Sequence, residues 1–229
     1  MTEDEASDLA RHDLLRVDPE SWARLLAGRP DLDGVPHLAE WARRGWPVIT
    51  RRRDPGERTD HIAAGLPLPP SAGKRRIGLA VPVSAASRLA PVSLERARAA
   101  APEGWRPVVD EVLALGREHR LVPHVFGSLL WQEQTGLPYL GAGSDLDLLW
   151  PVTGPIAPAL LAGLAAIEAD APMRLDGEIV LPDGAGINWR EWHGAEPGTA
   201  VLAKGMERLE LRTVIIDRDG RTACMGAQA

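Results

Sequence analysis

Two aspartates, Asp145 and Asp147, stand one residue apart inside the apolar stretch GSDLDLLW, residues 143–150. In a strand, residues i and i+2 point to the same face. Both carboxylates therefore stand side by side, while Leu146 and Leu148 turn the other way into a core. Like charges this close repel, and partial burial raises the cost. The surrounding sequence supplies no counter-charge, because residues 121–173 contain no Lys or Arg. The partner of the pair must be a metal ion or an arginine from a distant segment. Paired carboxylates are hard oxygen ligands that suit Mg²⁺, which takes a few carboxylates together with substrate phosphates.

Two further features can complete such a site. Gly127-Ser128 follows a strand-like run and opens a helix-like one. A helix N-terminus presents free backbone N–H groups and a partial positive charge, so this turn suits a phosphate. Glycine there lets the phosphate approach the backbone closely. Downstream, MRLDGEIVL (173–181) reads as a strand with Asp176, Glu178 and Val180 on one face. Either Asp176 or Glu178 can supply a third carboxylate. A two-metal clamp of this kind stabilises the attacking and leaving oxygens of an in-line displacement at phosphorus. Taken singly, each feature has a plain structural explanation: a solvated strand edge for the aspartates, a strand terminator and N-cap for Gly127-Ser128. Their succession along the chain favours a metal site.

The elements that must position these residues follow from periodicity and turn chemistry. Asp18-Pro19 starts a helix, with Asp as N-cap and Pro at the first helical position, running to Gly28. Leu38 to Arg44 reads as a second short helix and WPVITRR (46–52) as a strand. Residues 65–76, rich in Pro and Gly, read as a loop, and 77–83 as a strand. The apolar positions Trp105, Val108, Val109, Val112, Leu113 and Leu115 predict a helix through about His119. The second half then runs strand (121–127), helix from Ser128, a turn at LPYLGAG, the Asp-x-Asp strand, a helix over APALLAGLAAIEAD, the 173–181 strand, INWREW as strand or loop, and a last strand over 207–217. The expected fold is α/β (α+β): a mixed sheet with helices over residues 93–229, and a smaller α/β module over residues 1–92.

Composition narrows the functional classes. The chain has 229 residues, 45% hydrophobic and 25% charged, as in ordinary globular proteins. A net charge of −6 gives no general nucleic-acid footprint. The longest apolar run is too short to cross a bilayer, and the acidic, polar N-terminus does not read as a signal peptide. A single cysteine, Cys224, excludes an internal disulfide framework. These features point to the cytoplasm, with neither membrane nor nucleic acid as a partner. The six histidines lack metal-ligand spacing, so zinc is not expected. No G-x-S-x-G elbow is present, which disfavours a serine hydrolase.

A Gly-Ser at a strand-to-helix turn, followed by Asp-x-Asp on the next strand, resembles the nucleotidyltransferase superfamily. The longer stretch FGSLLWQEQTGLPYLGAGSDLDLLW (126–150) resembles the phosphoribosyl-dephospho-CoA transferases of bacterial malonate decarboxylase, also called holo-acyl-carrier-protein synthases. RHDLLRV (11–17), PLPPSAGKRRIGLAVP (67–82) and LDGEIVLPDGAGINWREW (175–192) carry the same resemblance. It implies attachment of 2′-(5″-triphosphoribosyl)-3′-dephospho-CoA to a serine of the apo acyl-carrier subunit of malonate decarboxylase, with release of diphosphate. It also implies a nucleotidyltransferase-like sheet, Asp145 and Asp147 as a Mg²⁺-binding pair, and Gly127 and Ser128 as the phosphate-cradling turn. Asp176 is the favoured third carboxylate. The gap between Ser128 and Asp145 is longer than in compact superfamily members, with an extra turn at Leu137 to Gly143.

Residues 43–76 are strongly basic, with nine Lys/Arg against three Asp/Glu. Gly73-Lys74-Arg75-Arg76 is not a P-loop, because no Ser or Thr follows the lysine. Lys74, Arg75 and Arg76 form either a solvated basic turn or a cluster that reaches the precursor's phosphates. The same charges could instead dock an acidic carrier protein. Alternation sends Arg51 and Arg53 to one face and Arg52 to the other. Lys204 reads as a surface lysine or a phosphate contact. Trp189 and Trp192 read as core anchors or as contacts to the adenine. Two other functions fit the same residues: a Mg²⁺-dependent transferase using an ordinary nucleoside triphosphate, and a non-catalytic chaperone that binds the carrier protein.

Overall fold

A computed structural model describes residues 1–54, 56–58 and 60–226 of the chain. The residues group into two compact units: Met1–Pro91 with Gln134–Tyr139, and Val92–Glu133 with Leu140–Ala229. Helices accompany two sheets, one in each unit, so the fold is α+β. Among the described residues, no helix is long and apolar enough to cross a membrane.

The first unit contains α1 (Glu3–Ser7), β1 (Leu14–Val17), α2 (Pro19–Ala27), β2 (Val48–Thr50), β3 (His61–Pro67), β4 (Arg76–Pro82) and β5 (Ala86–Arg88). Its sheet is antiparallel in the order β4-β3-β2-β1-β5. The Asp18 carboxylate accepts the Ser21 N–H at 2.8 Å, Pro19 fills the first turn, and Gly28 ends α2 as expected. Trp22 on α2 is buried, and its indole N–H donates to the Leu38 carbonyl at 2.7 Å.

The expected loop over 65–76 needs correction. Strand β3 continues to Pro67, Leu68 is buried, and the Leu68 N–H closes the hairpin onto the Arg75 carbonyl at 2.7 Å. Proline is tolerated because β2 pairs with β3 only at Ala64 and Gly65. Pro67 thus has β4 alone beside it, and its missing N–H removes no bond to β2. Residues 134–139, which run into the turn that lengthens the Ser128–Asp145 gap, belong to this first unit. There the buried Tyr139 hydroxyl donates to the Pro67 carbonyl at 2.9 Å.

The second unit contains α3 (Leu94–Ala97), α4 (Arg106–His119), β6 (His124–Val125), α5 (Gly127–Thr135), β7 (Leu146–Pro151), α6 (Pro158–Asp170), β8 (Leu175–Val180), β9 (Gly186–Asn188), α7 (Trp189–His193), β10 (Ala200–Lys204), β11 (Leu209–Ile216) and β12 (Thr222–Gly226). The sheet order is β12-β11-β10-β9-β8-β7-β6, with β7 and β8 parallel and the other pairs antiparallel. Leu146, Leu148 and Trp150 of β7 and Leu175 and Ile179 of β8 are fully buried, and α6 packs against α4 and α7. The expected strand over 121–127 shrinks to two residues, because Pro123 interrupts it and Val122 lies exposed. INWREW splits between both kinds of element: Gly186–Asn188 is strand, and Trp189–His193 is helix with Asn188 as its cap.

Candidate active site

The parallel register of β7 and β8 sets Asp147 directly beside Asp176. Asp145 sits just before β7. One carboxylate oxygen from each of Asp145, Asp147 and Asp176 lies within 4.8 Å of the others. Among the described residues, this is the group of acidic, His or Cys side chains close enough to share a metal ion. All three are half-buried. The strand alternation expected from the sequence brings Asp145 and Asp147 together, and the parallel pairing adds the third.

The Gly127-Ser128 turn has a role that the sequence did not show. The backbone N–H of Ser128 donates to the Asp147 carboxylate, at the start of α5. Gly127 has φ of 63°, and a β-carbon there would overlap that carboxylate. Glycine is required because Asp147 itself fills the space. The helix N-terminus thus holds a carboxylate directly.

Charge crowding leaves its mark on Asp147. Burial first, then the charges of Asp176 and Asp145, push its pKa up from the ordinary carboxylate range to about 7. The Ser128 N–H and Arg174 pull the other way without offsetting this. Three converging carboxylate oxygens with an excess of negative charge could hold a hard metal cation.

The distant arginines exist as well, and they engage the third acid. Asp176 Oδ1 accepts from the Gly177 N–H at 2.9 Å, Asn188 Nδ2 at 3.0 Å and Arg190 Nη1 at 3.1 Å. Asp176 Oδ2 lies 3.7 Å from Arg174 Nη2. Arg190 also binds both oxygens of Glu168 and the Leu175 carbonyl. Asn188 and Arg190 were not singled out from the sequence. The available signal was Asn188 followed three residues later by Glu191, a helix-start pattern inside INWREW.

Glu178, the other candidate third carboxylate, is not in the three-acid group. It is buried and accepts from Lys204 Nζ at 3.2 Å, and the missing side chain of Gly186 makes room for its carboxylate. Lys204 is therefore an ion-pair partner rather than a free surface cation. Trp189 and Trp192 are core anchors: both are 2% exposed, and their indole N–H groups donate to the Leu175 carbonyl and Thr222 Oγ1. The adenine contact expected as an alternative for them is not available from buried rings.

Lys74, Arg75 and Arg76 lie in the first unit, all exposed, where the β3–β4 hairpin turns. Arg75 comes within 3.9 Å of Asp31. Arg51 and Arg53 are committed within that unit. Arg51 pairs with Glu57 and Asp54, and Arg53 donates to the His61 carbonyl at 3.1 Å.

Comparison with known proteins agrees across nearly the whole chain. Residues 92–214 match the model of the phosphoribosyl-dephospho-CoA transferase MdcG C-terminal domain, and residues 10–92 match that of its N-terminal domain. A phosphoribosyl-dephospho-CoA transferase of Bradyrhizobium diazoefficiens is 45% identical over 210 residues, covering 91% of this chain and 90% of the relative. One from Xanthomonas euvesicatoria pv. vesicatoria is 42% identical over 80% of this chain and 85% of its own. One from Azotobacter vinelandii is 32% identical over 84% and 87%. No solved structure matches the chain significantly.

Proposed function

Because the chain belongs to the phosphoribosyl-dephospho-CoA transferase family and is therefore a transferase, we propose that it moves 2′-(5″-triphosphoribosyl)-3′-dephospho-CoA onto a serine of the apo acyl-carrier subunit of malonate decarboxylase. The serine hydroxyl gives up its proton to solvent, its oxygen bonds to the α-phosphorus, the bond from that phosphorus to the bridging oxygen breaks, and diphosphate leaves with that electron pair. The observation that carries this reading is the convergence of Asp145, Asp147 and Asp176 beside the N-terminus of α5.

In this reading the three aspartates hold Mg²⁺. When bound, the cation neutralises phosphate charge and stabilises the attacking and leaving oxygens. The chain's own work is positioning and electrostatics, which dominate phosphoryl-type transfer. Asp147 is fixed by the Ser128 N–H, and Asp176 by Asn188 and Arg190. The positive end of α5 faces the same site and favours negative charge there. Lys74, Arg75 and Arg76 serve the precursor's phosphates or an acidic surface of the carrier. The order strand, Gly-Ser, helix, Asp-x-Asp strand, third-Asp strand supports assigning the second unit to the nucleotidyltransferase folds.

The test is an assay of diphosphate release and of carrier labelling, with Mg²⁺, precursor and apo carrier each omitted in turn. The reading expects both signals to require all three. Equal labelling from an ordinary nucleoside triphosphate would identify a different donor. Carrier binding with no turnover would identify a chaperone instead.

A further inference from the structure

Asp176 is bound unequally at its two oxygens. Three donors from three residues, Gly177, Asn188 and Arg190, converge on Oδ1 at 2.9–3.1 Å. That oxygen has no remaining capacity for a cation. Oδ2 carries no hydrogen bond this short to those donors and lies 3.7 Å from Arg174 Nη2. The donors are themselves held. Asn188 Oδ1 accepts the Arg190 N–H at 3.0 Å and the Glu191 N–H at 3.4 Å, which fixes the amide so that Nδ2 faces Asp176. The Arg190 guanidinium spans Glu168 of α6, the Leu175 carbonyl and Asp176, and lies over the Trp189 ring at 4.8 Å. A planar fork of fixed donors is suited to such a clamp, and lysine cannot reproduce it.

We propose that Asn188 and Arg190 are positioning residues: they tether Oδ1 of Asp176 so that Oδ2 alone is presented to the cation shared with Asp145 and Asp147. The inference rests on the cation reading above. Partners that orient a ligand typically govern metal affinity by about 10–100-fold. Asn188→Ser keeps a cap acceptor for α7 but removes the Nδ2 donor. Arg190→Lys keeps the charge but removes the fork.

The experiment titrates Mn²⁺ alone into the full-length protein and counts free ion by electron paramagnetic resonance. Thermal melting of each variant verifies folding. Wild type is expected to bind Mn²⁺, and Asp147→Asn to lose that binding. Asn188→Ser and Arg190→Lys are expected to raise the dissociation constant by about 10–100-fold, with saturating Mn²⁺ restoring most of the transfer rate. An unchanged constant in either folded variant, with binding still dependent on Asp147, overturns the positioning role and leaves the cation reading standing. A wild type that binds no Mn²⁺, or binds it no better than Asp147→Asn, overturns the cation reading and the positioning role with it.

Discussion

Replacing Asp147 with asparagine should stabilise the metal-free protein while removing its function. The side chain keeps its shape and its oxygen can still accept the Ser128 N–H, but the charge beside Asp145 and Asp176 is gone. In the wild type, burial first and then the charges of Asp176 and Asp145 push the Asp147 pKa up to about 7, against an ordinary value of about 3.9. Ionising it in the folded state therefore costs up to about 4 kcal/mol, at 1.36 kcal/mol per pH unit. Side-chain relaxation toward water and counter-ions reduces this, and about 1–2 kcal/mol should remain. In a chain of this size that corresponds to a rise in Tm of about 3–6 °C. The sign follows from linkage. A carboxyl with a raised pKa in the folded state contributes its full stability below about pH 4, and that contribution is lost as pH rises through about 7. The difference between variant and wild type should be smallest at pH 4 and full at pH 8. Melts in EDTA at both values measure it, and Mg²⁺ should raise the Tm of the wild type alone. A variant less stable than wild type at pH 8 would refute the crowding argument.

Other perturbations follow from the same geometry. Gly127→Ala places a β-carbon on the Asp147 carboxylate in a backbone conformation of φ 63°. It should cost about 1–3 kcal/mol in denaturant melts and lower transfer at least as much as any change to Ser128's side chain. Tyr139→Phe removes the donor to the Pro67 carbonyl, which should cost about 1–2 kcal/mol by urea unfolding. Replacing Lys74, Arg75 and Arg76 together by Ala touches only exposed side chains. Melting should hold while KM rises for the precursor or the carrier, and more steeply at low salt. Unchanged KM for both substrates would make this a solvated turn.

The pairing of Asp145 and Asp147 was legible because strand alternation is a strong signal. Two acids at i and i+2 between leucines can only share a face, and the lack of nearby cations made their cost visible. Asp176 and Glu178 could not be separated by that rule, since they share a face too. Register and cross-strand partners decide between them, and neither is written locally: Asp176 lies opposite Asp147, and Glu178 opposite Lys204's ammonium. Arg190 and Asn188 stayed hidden for the same reason, because their roles arise where α6, α7 and β8 meet. Proline content misled the reading of 65–76, where the pairing of β2 stops short of Pro67. Short strands such as β9 and β12 carry too few residues for alternation to register.

The most direct measurement of the central claim is transfer of labelled triphosphoribosyl-dephospho-CoA to the apo carrier by wild type and by Asp145→Asn. The variant removes one of three converging carboxylates without altering the Leu146–Leu148 core face. The account predicts Mg²⁺-dependent labelling by wild type and a loss of at least about 100-fold in the folded variant, in line with the removal of a charged transition-state contact. Near-normal labelling by folded Asp145→Asn would contradict it.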